Sequence, residues 1–169
     1  MAGVYGLPAH LQSLLEARKL PTTVLTPPVI STDTSVQIYV VGEPIYTLGV
    51  VYSQDKMPKK TLLGLMNTKV RDCNKVLVVV QAMSPAAVQS LLPNMEFIPD
   101  RIVQLFHRMF AYWPAFEVLN ESQILQWEQL LHIPRNRWPI IGNQDPFVIY
   151  LGLVGGMVIR CSDSLRIVT

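Results

Sequence analysis

This sequence has little charge. Only 15% of its 169 residues are charged, against 50% that are hydrophobic, whereas a globular domain carries about 25% charge. Disordered chains are poor in apolar residues and rich in charge, so this composition excludes disorder. Fourteen basic residues against twelve acidic ones leave a net charge of +2, too little for a highly basic nucleic-acid binder of the histone type. So much apolar material under so thin a charged coat has one ready explanation: a partner covers part of the surface.

Cysteine is scarcer still. Cys73 and Cys161 are the two, too far apart in sequence for a disulfide framework or a zinc-ligand spacing, and they read as simple thiols of a reducing compartment. Met1 to Leu15 has no basic start, and Pro8 and His10 interrupt its apolar run, so it does not read as a signal peptide. The uncharged stretch Pro146 to Ile159 is shorter than the roughly 18 residues of a membrane span and is broken by Gly152, Gly155 and Gly156. The expectation is a soluble intracellular protein without a membrane partner.

Catalytic motifs are missing too. His10, His107 and His132 have no second ligand at i+4 and no HExxH context. There is no GxSxG elbow and no glycine-rich loop ending in Gly-Lys-Ser/Thr. The Gly155-Gly156 pair reads as a turn before a strand. Glu43 and Asp55 are the candidates for a metal-dependent nuclease pair, and neither is followed by the spaced lysine such a site needs. The expectation is no catalytic residue, no metal, no cofactor and no small-molecule substrate.

What is present is a series of short elements punctuated by 13 prolines. Leu11, Leu14 and Leu15 predict a helix over Ala9 to Leu20, ended by Pro21. Thr22 to Thr34 reads as an irregular connection. Val36 to Val41 and Tyr46 to Tyr52 read as strands with a turn at Glu43-Pro44. Thr61 to Asp72 carries Leu62, Leu65, Met66 and Lys69 on one helical face. The apolar run Val76 to Val80 predicts a strand, Lys75 to Gln81, buried on both faces. Ser84 as N-cap and Pro85 at the first position open a helix reaching about Leu92. Asp100 to Arg108 and Asn120 to Leu131 read as helices, Pro146 to Gly152 as a short helix capped by Asp145, and Met157 to Cys161 with Leu165 to Val168 as a closing hairpin.

Positive charge gathers in one stretch of sequence. Lys56, Lys59, Lys60, Lys69, Arg71 and Lys75 face Asp72 alone, a candidate phosphate-facing patch or a solvated helix and loop. Arg135 and Arg137 beside Trp138 favour a protein–protein contact.

The order Val78-Val79-Val80-Gln81-Ala82-Met83-Ser84-Pro85-Ala86-Ala87 resembles the jaw of the small RNA polymerase subunit called five in eukaryotes and H in archaea, where an apolar strand leads into a Met-Thr/Ser-Pro turn that opens a helix. Ile133-Pro134-Arg135 resembles that family's Leu-Pro-Arg segment, and Asp145-Pro146-Phe147-Val148-Ile149-Tyr150-Leu151-Gly152-Leu153 its Asp-Pro-Val-Ala-Arg-Tyr-Leu-Gly-Leu. Gly156-Met157-Val158-Ile159-Arg160 resembles its Gly-x-Val-Val-Lys strand, and Leu165-Arg166-Ile167-Val168 its closing strand. The resemblance covers roughly Thr61 to Thr169.

The resemblance implies a fold of mixed α+β and α/β character: a small α/β jaw with a mixed sheet over 1–115 and a small α+β assembly domain over 116–169. It implies a non-catalytic subunit of a DNA-directed RNA polymerase, in the nucleus or nucleolus, docked on the largest subunit and contacting downstream DNA weakly. Carried over residue by residue, Pro134, Arg135, Asp145, Pro146, Tyr150, Gly152, Gly156, Arg160 and Arg166 become subunit-docking residues. Ser84 and Pro85, with Lys56, Lys59 and Lys60, become DNA-proximal. Departures from the pattern at Ala86, Val88, Val154 and Gly155, and a hairpin tip reduced to Cys161-Ser162-Asp163-Ser164, mark a divergent and shortened copy. Such copies occur in trypanosomatids, where one serves RNA polymerase I, and a viral polymerase is the other home. A stand-alone nucleic-acid-binding module is the alternative from a different class.

Overall fold

Five apolar residues in a row need cover on both sides, and they receive it. Val76, Leu77, Val78, Val79 and Val80 have no exposed surface. They lie in strand β4 (Lys75–Met83), inside a five-stranded sheet of order β1-β2-β3-β4-β5. The computed structural model describes residues 6–31, 36–43, 45–65, 69–109, 112 and 115–169. It is an α+β fold with two sheets, in two compact units, Met1–His107 and Arg108–Thr169. The units divide between His107 and Arg108, where the sequence reading places the boundary at 115/116.

In the first unit, β1 (Val29–Ser31), β2 (Val36–Glu43) and β3 (Tyr46–Met57) pair antiparallel, and β3, β4 and β5 (Met95–Pro99) pair parallel. Helix α2 (Lys59–Leu65), a 3-10 turn over Lys69–Asp72 and the short α3 (Pro85–Val88) cover one face. They pack Leu62, Leu65, Val70 and Ala87 against Val76, Val78 and Val80. Helix α1 (Ala9–Ala17) and α4 (Asp100–Met109) cover the other. His10 sets its ring 5.0 Å from Tyr52, the sheet neighbour of Val79, and Ser13 meets His107 of α4.

Four elements differ from their sequence reading, and one of them is the helical face over Thr61 to Asp72, which divides into α2, ending at Leu65, and the 3-10 turn from Lys69. Helix α1 stops at Ala17, one turn before Pro21. Lys19 turns left-handed (φ 55°), with its N–H on the Glu16 carbonyl and the Leu20 N–H on the Leu15 carbonyl, which satisfies the last carbonyls without proline. The connection after it is not wholly irregular. Val29–Ser31 forms an edge strand, and Val24 bridges Val41. Pro27 and Pro28 sit just ahead of that edge, where a missing N–H breaks no inner ladder. Helix α3 ends at Val88, short of Leu92, because Ala87 is its one buried residue and a helix with so little to pack does not propagate. Strands β5 and, in the second unit, β6 and β7 have no counterpart in the sequence reading. Pro44, Met66 and Thr32 to Thr34, named in that reading, lie outside the described residues.

The β2–β3 hairpin depends on Gly42. Its φ is +154°, and a Cβ there would fall on the Tyr46 carbonyl oxygen, so no L side chain fits. The uncharged stretch Val76 to Met95 is longer than Pro146 to Ile159, yet it is divided among β4, α3, turns and the start of β5. No helix among the described residues is long and apolar enough to cross a membrane.

The second unit holds a four-stranded sheet of order β6-β8-β9-β7, made of β6 (Phe116–Leu119), β7 (Ile140–Ile141), β8 (Val158–Cys161) and β9 (Ser164–Val168). The β8–β9 hairpin is antiparallel, and β7 joins β9 parallel. Helix α5 (Glu121–Leu131) is closed at its start by a capping box between Asn120 and Gln123. Helix α6 (Pro146–Leu151) starts at Asp145, whose Oδ1 accepts the Phe147 N–H at 2.8 Å, and ends at Gly152 in the left-handed conformation. Leu119, Ile124, Trp138, Val158 and Leu165 form a core cluster of this unit.

Candidate functional site

The linear run of positive charge does not stay together. Beyond Ser53 the β3–β4 register slips by one residue, and Lys56 then lies opposite Ala82 and Met57 opposite Met83. Ser53 is buried at this bulge, its Oγ accepting the Asp55 N–H, and the extra residue re-aims the end of the strand. Lys56, Lys59 and Lys60 are exposed here, at the end of the sheet where β4 delivers Ser84 and Pro85 to α3. The five residues expected near DNA therefore gather at one end of the sheet. Lys75 sits at the far end of β4, about 25 Å away by strand rise, paired with Glu96 at 3.0 Å. The 3-10 turn carrying Lys69 and Arg71 leads directly into that far end. One patch of six in sequence becomes two groups in space. Ser84 Oγ accepts the Ala87 N–H at 3.2 Å, so the cap role is filled. Glu43 and Asp55 end about 30 Å apart along β3 by the same rise, so this carboxylate pair does not converge.

The fold joins two histidines that the sequence leaves 97 positions apart. His10 and His107 have ring centroids 6.4 Å apart. Burial pushes the His10 imidazole below its ordinary value, with Asp100 pulling up and His107 pushing down. Ser13 Oγ lies 3.0 Å from both the Ala9 carbonyl oxygen and His107 Nδ1, and the ring tautomer decides which of the two takes its one proton. Burial raises both cysteine thiols, and neither is in a disulfide. No group of three or more His, Cys, Asp or Glu that could hold a metal is present among the described residues.

In the second unit, several expected docking residues serve the unit's own structure. Tyr150 is fully buried. This corrects its assignment as a docking residue, because a ring without exposed surface packs inside the chain. Asp145, Pro146 and Gly152 cap and open α6. Gly156 turns left-handed (φ 89°) ahead of β8. Pro134 caps a 3-10 turn over Arg135–Arg137. Arg135 ties that turn to α5: its N–H donates to Glu128 at 2.6 Å and its guanidinium to both Glu121 oxygens at 3.0 and 3.1 Å. Arg160 on β8 lies 5.8 Å from the Trp127 ring centroid and 4.0 Å from Glu117. Arg166 on β9 is exposed.

Large apolar side chains stand in the open on this unit. Leu125 (55% exposed), Leu130 (68%), Leu131 and Ile133 line α5 and its exit, and Ile140 (65%) stands on the edge strand β7. Of the eleven residues of α5, Ile124 alone is buried. Between α5, the 3-10 turn and the tip of the β8–β9 hairpin runs a cavity of about 570 Å³, open on one side, which Trp127, Trp138, Arg137 and Arg160 help to line. The Arg137–Trp138 pair is the part visible in sequence. Trp127 and Glu117 were missed, because nothing local in sequence shows that β8 brings Arg160 to them. No family model and no curated protein matches the sequence.

Proposed function

We propose that the protein is a non-catalytic structural subunit of a multisubunit DNA-directed RNA polymerase, held through its C-terminal unit on the largest subunit, with its N-terminal unit near downstream DNA. The observation that carries this reading is the set of large apolar side chains left exposed on α5, its exit and β7, since uncovered apolar surface on a folded unit marks a place where another protein packs. The C-terminal segments resembling the small polymerase subunit supply the partner. The group Lys56, Lys59 and Lys60 beside Ser84-Pro85 is a weak phosphate contact in this reading: three lysines place a phosphate backbone nearby without anchoring it. Transcription in the nucleus or nucleolus, in a polymerase I complex or in a viral one, follows from the same resemblance.

The test is a native pull-down of the tagged chain followed by mass spectrometry. The expected result is stable recovery of a largest polymerase subunit and its neighbours, which also names the polymerase class. Recovery of the chain as a free monomer, with no polymerase subunit present, overturns the reading. A stand-alone nucleic-acid-binding module would instead bind DNA tightly as the isolated protein, with a steep dependence on salt.

A further inference from the structure

We infer that the groove between α5 and the β8–β9 hairpin binds an extended acidic peptide segment of a protein partner, with an apolar side chain seated between Trp127 and Ile133. This rests on the reading of the C-terminal unit as a docking module and names what that module grips.

The groove has the volume of a site for a small ligand, about 570 Å³. Its open side and the exposed Leu131 and Ile133 in its wall suit a chain better than an enclosed metabolite. Its walls are apolar where they are aromatic. The Trp138 indole N–H is already committed to the Ile133 carbonyl at 3.1 Å, so what that ring offers is hydrocarbon.

The rim is cationic: two guanidiniums, Arg137 and Arg160, against one carboxylate, Asp163. Arg137 is exposed and makes no side-chain hydrogen bond or ion pair with any described residue. Arg160 is held over Trp127, with Glu117 only at the 4.0 Å limit of an ion pair. A guanidinium so placed offers a carboxylate a forked pair of donors.

The charge of the whole unit separates a peptide from a nucleic acid. Arg108 to Thr169 contains five arginines, no lysine and five carboxylates, hence no net positive field for a polyphosphate. Arginine and tryptophan without lysine is the composition of a protein contact.

The test uses the full chain and three fluorescently labelled short peptides, each with Asp and Glu flanking a central Phe, Leu or Trp. The controls are the same peptides with Lys at every acidic position, and a labelled oligothymidylate. Anisotropy is expected to show at least one acidic peptide binding about tenfold more tightly than its lysine counterpart and than the oligonucleotide. Arg137→Glu should weaken that binding about tenfold while leaving the melting temperature unchanged, because the side chain it replaces has no partner among the described residues. Arg137→Ala, which removes the charge without reversing it, should fall between.

No binding by any acidic peptide, equal binding of acidic and lysine peptides, tighter binding of the oligonucleotide, or indifference to Arg137→Glu each overturns the inference. The pull-down reads the other proposal separately. A chain that recovers polymerase but fails the peptide test loses the groove alone. A chain that binds the acidic peptide but recovers no polymerase keeps the groove and loses the polymerase as its partner.

Discussion

The two units use the same kinds of residue in opposite ways. The N-terminal unit places its longest apolar run in the middle strand of a sheet and covers both faces with helices. The C-terminal unit leaves Leu125, Leu130 and Ile140 in the open. Their charges differ as well. All six lysines lie in Met1–His107, which has nine basic and seven acidic residues and so accounts for the whole net charge of +2, while the arginines and carboxylates of Arg108–Thr169 balance. The thin charged coat is therefore not spread evenly over one type of surface. The first unit buries its longest apolar run completely and exposes Ile30 on its edge strand and Ile45, while the second, around a core of its own, exposes Leu125, Leu130, Leu131 and Ile133 on α5 and its exit and Ile140 on β7, so truncating a leucine should mean different things in β4 and in α5.

Leu77→Ala should produce the largest effect. Leu77 is fully buried in β4, and removing a core leucine side chain costs about 2–5 kcal/mol through lost burial and the cavity left behind. Urea unfolding should register that loss, and a change below about 1 kcal/mol would contradict the picture of a filled interior.

Glu96→Gln should come next, at about 2 kcal/mol. Glu96 accepts from Arg18 at 2.9 Å and from Lys75 at 3.0 Å, and the Arg18 side chain is only 3% exposed against 31% for Glu96. The pair falls between an exposed bridge and a buried one. Burial pushes the Glu96 carboxyl up, but Arg18 and Lys75 together pull it below its ordinary value of 4.5. A carboxyl lowered on folding stabilises the fold above its unfolded pKa, and the contribution fades as pH falls through the folded value. Thermal scans between about pH 6 and about pH 3 should therefore show the native chain losing more stability than Glu96→Gln.

Asn120→Ala removes the capping box of α5 and should cost about 1 kcal/mol. The smallest effect on stability, under about 0.5 kcal/mol, belongs to Leu130→Ser, yet this substitution should lower the yield of partner in the native pull-down. A Leu130→Ser chain that is strongly destabilised but still retains its partner would reverse the comparison.

Much of this contrast is legible in the sequence, and the exceptions have physical causes. Val76 to Val80 announces a doubly covered strand because no polar residue offers either face to water. Asp145-Pro146 and Ser84-Pro85 announce helix starts because caps are local chemistry. Strand β5 was missed because Met95 to Pro99 mixes Glu96 with a terminal proline, and only parallel pairing with β4 makes it a strand. Strand β7 was missed because two residues carry no period. The basic run was read as one candidate patch because spacing along the chain does not reveal that β4 carries Lys75 away from Lys56. Tyr150 was read as a docking residue because an aromatic on a short helix looks the same from sequence whether it faces inward or outward. The His10–His107 meeting and the Trp127 groove are long-range products of the fold, with no local signal to find.

The covering of β4 also has an order in time. Helix α1 is made before the sheet it covers, but its Ser13 meets His107 ninety-four residues later, and Arg18 at its end meets Glu96 seventy-eight residues later. During synthesis, Leu11, Leu14 and Leu15 wait for the parallel strands and α4 before the sheet face beneath them is complete. Such a face is exposed to wrong partners for as long as the chain is unfinished. Fragments ending before Asp100 should aggregate where the full chain does not, and the N-terminal helix is the segment a chaperone would hold longest.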